Sequence, residues 1–252
     1  MIKKLAGIVI LVGFATMAFG QETTTTATTT TTATKKTGRP NIPGILALEL
    51  GINGHSGAPA NFRTGFWGSR TVNIYYQLPF QLFNSGFSFV PGIGFGLERF
   101  KFKNNYTINY SSPTSGEIVL IAPADAAVPN IRKSQLIANY IDLPIEIRFS
   151  TKPDDPARSF NVSVGGRIGY LFDSFTKLKY KENSEIKKIK YKQNFQLTEI
   201  RYGLTGRIGF GDFSIFGYYN LTPLFEEGKG LMENNQYKDF NTFTIGISLA
   251  SF

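Results

Sequence analysis

The chain has 252 residues, of which 42% are hydrophobic and 18% charged, fewer charges than the quarter or so usual in soluble domains. It has no cysteine and a single histidine, which excludes disulfides, thiolate metal sites, thiol nucleophiles and a lipidated N-terminal cysteine, and leaves little scope for an imidazole metal centre. Its 26 glycines and 23 phenylalanines suit tightly packed strands better than helices.

Residues 1–20 have the pattern of a secretory signal peptide. Lys3 and Lys4 form a positive start, Leu5 to Phe19 an apolar core, and Ala18 and Gly20 the small residues of a cleavage before Gln21. The apolar run is too short and glycine-interrupted for a membrane anchor. Removing the two lysines lowers the formal charge from +9 to +7. Residues 21–44 are rich in threonine and carry no apolar periodicity. Such a composition cannot bury enough surface to offset its ordering entropy, so a disordered linker is expected, leading to a folded domain over residues 45–252.

From Ile45 onward the period is two, the signature of strands. Leu46, Leu48, Leu50 and Ile52 alternate with Ala47, Glu49, Gly51 and Asn53, and Val72, Ile74 and Tyr76 with Asn73, Tyr75 and Gln77. Similar runs follow at Ile93–Glu98, Ile137–Phe149, Phe160–Tyr170, Glu199–Phe210, Phe213–Tyr219 and Phe243–Leu249, eight in all. The connections alternate in length. Those near residues 55–68, 104–134, 175–194 and 223–240 are long, whereas those near 79–86, 150–158 and 211–212 are short. This predicts an all-β fold, an eight-stranded antiparallel outer-membrane barrel with long extracellular loops, short periplasmic turns and both termini in the periplasm. A soluble eight-stranded barrel would turn its apolar face inward and show a Lys/Glu-rich exterior. Here the polar face instead mixes small residues with compensated charges.

Five acids (Glu49, Glu98, Asp142, Glu146, Glu199) and four arginines (Arg148, Arg167, Arg201, Arg207) fall on the polar face. Unpartnered buried charges cost several kcal/mol each, and eight strands enclose room only for side chains. A mutually paired network plugging the lumen is therefore expected, and an open pore is not. The alternative use of such a network is a proton or small-ion path.

Three loop features stand out. His55-Ser56 ends the first strand, and a histidine and serine at that rim occur in some lipid-modifying barrels. Loop histidines are usually structural, so no catalytic residue, metal or cofactor is expected. Connection three carries YTINY and EIVLIA around SSPTSG, a hairpin whose apolar Ile118–Pro123 run must cover the barrel mouth or a partner. Connection five carries Lys177, Lys179, Lys181, Lys187, Lys188, Lys190 and Lys192 around KENSE, a hairpin with one or both faces basic. Such a face suits lipopolysaccharide phosphates, acidic glycan or an acidic protein, while an extracellular placement argues against nucleic acid.

Tyr140–Phe149 (YIDLPIEIRF), Gly165–Tyr170, Arg201–Gly206 and Tyr218–Thr222 resemble strands of the PorT-like outer-membrane barrels of the Bacteroidetes, over residues 45–252. The terminal Phe252 matches the aromatic that barrel-insertion machinery reads. It departs in parity from Phe243, Ile245, Ile247 and Leu249, which allows a bulge near Ser251. The resemblance implies an integral outer-membrane protein, and the family's namesake belongs to the type IX secretion system. The leading reading is a non-enzymatic structural or accessory subunit of an outer-membrane complex, with type IX secretion or surface assembly as candidate machines and other outer-membrane or periplasmic proteins as partners. The competing reading is a surface binding protein that uses the lysine hairpin.

Overall fold

A computed structural model of the chain describes residues 44–251, except 84, 112–116, 127, 156–157 and 235. The expected signal peptide, threonine-rich linker and terminal Phe252 lie outside the described residues. Eight long strands form the wall: β1 (Ile45–Ser56), β2 (Arg70–Gln77), β3 (Phe87–Lys101), β4 (Ile131–Ser150), β5 (Phe160–Glu182), β6 (Ile200–Phe210), β7 (Phe213–Asn220) and β8 (Asn241–Ser251). Each pairs antiparallel with its sequence neighbours, and β1 pairs with β8 from Leu46↔Ser251 to Ser56↔Asn241. That last pairing closes the ring. Closure leaves each of the eight wall strands paired on both sides, the condition for crossing hydrocarbon with strands.

The period-two pattern is resolved inside out. Leu46, Leu50, Ile74, Ile93, Ile145, Ile168, Leu204, Ile215 and Ile247 stand exposed on the outer wall. Their neighbours Glu49, Asn73, Glu98, Asp142, Arg167 and Arg201 are buried within. A water-soluble barrel has the reverse arrangement, and only a lipid surround makes this one stable.

At one end the turns are short: Phe210 and Phe213 are joined through Gly211, whose φ of +56° a side chain would resist. The β2–β3 turn adds a two-residue strand, Phe80–Gln81, on β3. Both β1 and β8 have their outer termini at this end. The four long connections gather at the other end. Each contributes to one apolar cap: Phe62 from the first, Ile108 and Ile118 from the second, Phe195 and Leu197 from the third, and Leu224, Phe225 and Phe240 from the fourth. The second is the expected hairpin, Thr107–Tyr110 paired with Ile118–Ile121. It folds down as a lid, with Ile118 fully buried.

The third long connection departs from the expected loop beginning near residue 175. β5 continues unbroken to Glu182 and turns through Asn183 and Ser184, both at positive φ, into a further strand, Glu185–Lys192. Two adjacent positive-φ residues make the tight turn that suits the right-handed twist of a hairpin. Within β5 there is a bulge: Tyr140 pairs with Leu171 but Asn139 with Asp173, leaving Phe172 as an extra residue. Parity therefore inverts there. Below the bulge Ser163 and Arg167 point inward, and above it Ser174, Thr176, Leu178 and Tyr180 do.

Gly165 faces Glu146 across the β4–β5 pair, and a Cβ there would run into the Ile145 carbonyl oxygen and lie 2.7 Å from the Glu146 Cα. Gly217, on the outer wall of β7, has nothing within 4 Å of such an atom. Gly165→Ala should lower stability by about 1–3 kcal/mol, as overpacking does, while Gly217→Ala should stay within about 0.5 kcal/mol of the parent. Urea midpoints of the micelle-folded proteins, followed by circular dichroism, test the contrast.

Candidate functional site

Two clusters of charge occupy the barrel, one sealed inside and one displayed outside. The lumen holds Glu49 from β1, Glu98 from β3, Asp142, Glu146 and Arg148 from β4, Arg167 from β5, and Arg201 and Arg207 from β6, all buried. All but Arg148 form one chain of alternating sign. Glu146 pairs with Arg207 at 2.8 Å, Arg207 with Glu49, Glu49 with Arg167 at 3.3 Å, Arg167 with Asp142 at 3.9 Å, Asp142 with Arg201 at 3.1 Å, and Arg201 with Glu98. Arg148 donates to Gln77 Oε1 at 3.2 Å. Neutral groups add hydrogen bonds to the acids: Asn73 Nδ2 donates to Glu49 at 2.6 Å, Tyr75 Oη to Asp142 at 2.8 Å, and Ser163 Oγ to Glu146 at 3.0 Å.

Glycine makes the room for this network. Asp142 sits between Gly94 on β3 and Gly169 on β5, and Gly169 is also the register partner of Arg201. A Cβ on Gly96 would lie 2.8 Å from Arg201 Nη2, and one on Gly169 2.9 Å from its Nε. The guanidinium thus occupies the volume that two side chains would fill. Aromatic faces complete its surroundings, with the Tyr140 ring 3.6 Å from the Arg201 guanidinium carbon and Arg167 lying over Tyr218 at 4.2 Å. Alternation had placed Tyr75 and Tyr218 on the inner face, but their stacking on arginine has no sequence signal.

Glu199 is a correction. Strand pairing of β6 begins only at Ile200↔Tyr170, while Phe195 and Leu197 are drawn into the apolar cap. Glu199 is left exposed at the rim, where it accepts a hydrogen bond from Asn194 Nδ2 at 3.4 Å instead of joining the lumen chain.

The seven hairpin lysines do not share a face. Lys177, Lys179 and Lys181 of β5 lie with Lys188, Lys190 and Lys192 on the outer side, whereas Lys187 is on the other side, bonded to Glu182 at 2.6 Å. Beneath the outer side, Val128, Ile131, Leu178 and Tyr180 pack together with Ile189 against them. The ribbon therefore has an apolar back and a basic front. On the front, Lys177 faces Lys190, and Lys179 stands between Lys133 and Lys188. Lys192 is neutralised by Asp173 at 2.8 Å. Among the described residues, no acid lies within ion-pair distance of Lys177, Lys179, Lys188 or Lys190, although Lys190 rests 5.1 Å from the Phe175 ring centre.

The front also includes residues that sequence patterning left unassigned: Arg99 and Lys101 of β3 and Lys133 of β4. Burial, and then the neighbouring Lys101, Lys177, Arg99 and Lys179, hold the Lys133 ammonium below its ordinary pKa. The readable signal was that Arg99 and Lys101 continue the parity of Ile93, Phe95 and Leu97. His55 has a packing role. Its ring meets Phe62 and Phe240 edge-on at 5.2 and 6.0 Å, and burial lowers its pKa, favouring the neutral form.

A closed ring of eight antiparallel strands with a lipophilic exterior and a charged, filled interior defines an outer-membrane β-barrel. The chain belongs to the outer membrane protein beta-barrel domain family, whose model matches residues 47–226. No curated protein matches it. Among solved structures it is similar to Ail, the attachment invasion locus protein of Yersinia pestis, at 11% identity and a TM-score of 0.36, over 83% of this chain and 100% of that one. A second structure of Ail, in complex with the heparin analogue sucrose octasulfate, gives 12% and 0.33 with the same coverage. At these values the likeness bears on neither ligand nor activity.

Arg201→Met would strand Glu98 and Asp142 in the lumen, and should lower stability by about 3–5 kcal/mol, the usual effect of breaking a buried pair. Adding Glu98→Gln should restore part of that. The shift between folded and unfolded bands on unboiled gels after graded heating measures both. The parent, reconstituted in planar bilayers, should give no pore-sized conductance steps.

Proposed function

We propose that this protein is a surface binding protein: a closed, non-conducting barrel that anchors a lysine ribbon outside the cell and grips acidic ligands with it. In this reading the long-loop end faces the exterior, and the short-turn end, with the start of β1 and the end of β8, faces the periplasm, following the usual asymmetry of such barrels. The observation that carries it is the register of the ribbon. Like charges directly opposite across strands destabilise a sheet, yet Lys177↔Lys190, Lys133↔Lys179 and Lys179↔Lys188 are placed so. A bound polyanion removes that repulsion, and the apolar back holds the lysines in place before it arrives.

The accessory-subunit reading, with type IX secretion among its settings, needed a free partner surface. Its best candidate, the apolar run from Ile118, gives Ile118 and Leu120 to the barrel's own cap. That shifts the balance toward binding. A lipid-modifying enzyme is less well supported still, since His55 is committed to its aromatic contacts.

The test is binding of labelled dextran sulfate to the full chain in neutral detergent. Affinity should fall steeply as salt rises from low to physiological strength, as screened contacts do. The variant K177Q/K179Q/K188Q/K190Q should lose about tenfold or more, on the scale of roughly 1 kcal/mol or less for each exposed contact. K187Q/K192Q, whose lysines already have acid partners, should lose far less. Equal losses in both variants would sink the proposal.

A further inference from the structure

On the outer wall of β3, the side chains Phe87, Phe89, Ile93, Phe95 and Leu97 run without a charge, and Arg99 and Lys101 come next on the same face. Ten residue steps separate Phe87 from Leu97. At about 3.3 Å per step and a tilt of about 40°, they rise about 25 Å, the height of the apolar band of such barrels. Arg99 is thus the first outward residue above the hydrocarbon. Across the register it meets Arg70 of β2, which follows Val72 and Ile74 on the same face. Beside Arg70 are Phe66 and Trp67, exposed by 62% and 74%, the aromatic type that settles at a membrane interface.

The same level is basic across the adjoining strands. Lys101 pairs with Gln135, Gln135 with Lys177 and Lys177 with Lys190, one row crossing four strands, about 14 Å wide at the usual strand spacing. Lys133, Lys179 and Lys188 form a second row beyond it. Both rows point sideways, as continuations of the lipid-facing wall, and not up into solution. Phosphates at that height belong to lipid head groups.

Resting on the binding role proposed above, we infer that this lateral band of Arg99, Lys101, Lys133, Lys177 and Lys190 is a binding site for phosphorylated glycolipid of the surrounding outer leaflet. The acyl chains lie against Phe95 and Phe172, whose rings meet edge-on at 6.0 Å on the wall below, and the head-group phosphates sit on the cationic rows. The extra residue at Phe172 is what turns Lys177 outward to join Arg99 and Lys101. Lipid bound in this way neutralises the repulsion around Lys133.

The experiment uses the full chain folded in neutral detergent, with bisphosphorylated lipid A, its dephosphorylated form and dextran sulfate as probes. Lipid retained through gel filtration is counted by mass spectrometry. The parent should retain phosphorylated lipid A at least tenfold better than the dephosphorylated form. R99Q/K101Q/K133Q should lose that preference while keeping dextran sulfate binding within about threefold, through the remaining hairpin lysines. R99K/K101R/K133R should retain the preference, which separates lost charge from lost folding. Equal retention of the two lipids by the parent, or an undiminished preference in the glutamine variant, overturns the inference. If the parent binds dextran sulfate but shows no lipid preference, the lipid site falls and the surface-binding reading stands. If it binds neither probe, both fall.

Discussion

An arginine in a narrow lumen has to be surrounded. Arg167 and Arg201 are buried, and each is stable only because acids and aromatic faces converge on it from several strands at once, while neutral side chains donate to those acids. The pairings Glu146–Arg207–Glu49–Arg167–Asp142–Arg201–Glu98 tie β1, β3, β4, β5 and β6 together across the interior. In lipid, little hydrophobic force draws the wall inward, since the surround is as apolar as the outer side chains. The charged chain therefore replaces an apolar core as the device that specifies one interior. It also fills the interior, because the groups that would line a pore are bonded to one another.

The molecule does have an apolar core, but at its end. The four long connections converge on Phe62, Phe100, Phe102, Phe195, Phe225 and Phe240, which close the mouth above the ion pairs. This cap keeps water from the network and so strengthens its electrostatics. It also frees one element for display. The β5 hairpin needs only a few apolar contacts on its back, around Leu178 and Tyr180, to stand beside the cap with its basic side outward. Plug, cap and ribbon are three separate constructions: paired charges in the lumen, aromatic side chains over its mouth, and lysines on the outer side of a hairpin.

Much of this was legible in the residues. Alternation along Leu46–Ile52 or Ile200–Phe210 requires a two-faced strand, and eight such strands with alternating connection lengths require a closed barrel. Balanced charges on the glycine-rich face require internal pairing. The resemblance of Tyr140–Phe149 to PorT-like barrels agreed on fold, while the family match stays at the broader outer-membrane barrel domain. Glu199 was misplaced because alternation assumes the strand continues, and it does not: Phe195 and Leu197 pull the preceding chain into the cap.

By itself the sequence determined the strand count, the inside-out polarity, the plugged lumen and the existence of a lysine hairpin, since each follows from local period and composition. Only the tertiary structure decided which way the lysines face. In β5 the inward residues Ser163 and Arg167 are odd-numbered, and uninterrupted alternation would aim Lys177 and Lys179 inward as well. The bulge at Phe172 inverts that parity, and the register with β4 then sets Lys177 and Lys179 beside Gln135 and Lys133, along with Arg99 and Lys101 from β3. A one-residue shift exchanges the faces of a strand, and its position depends on pairing with a neighbour distant in the chain, which no local pattern records.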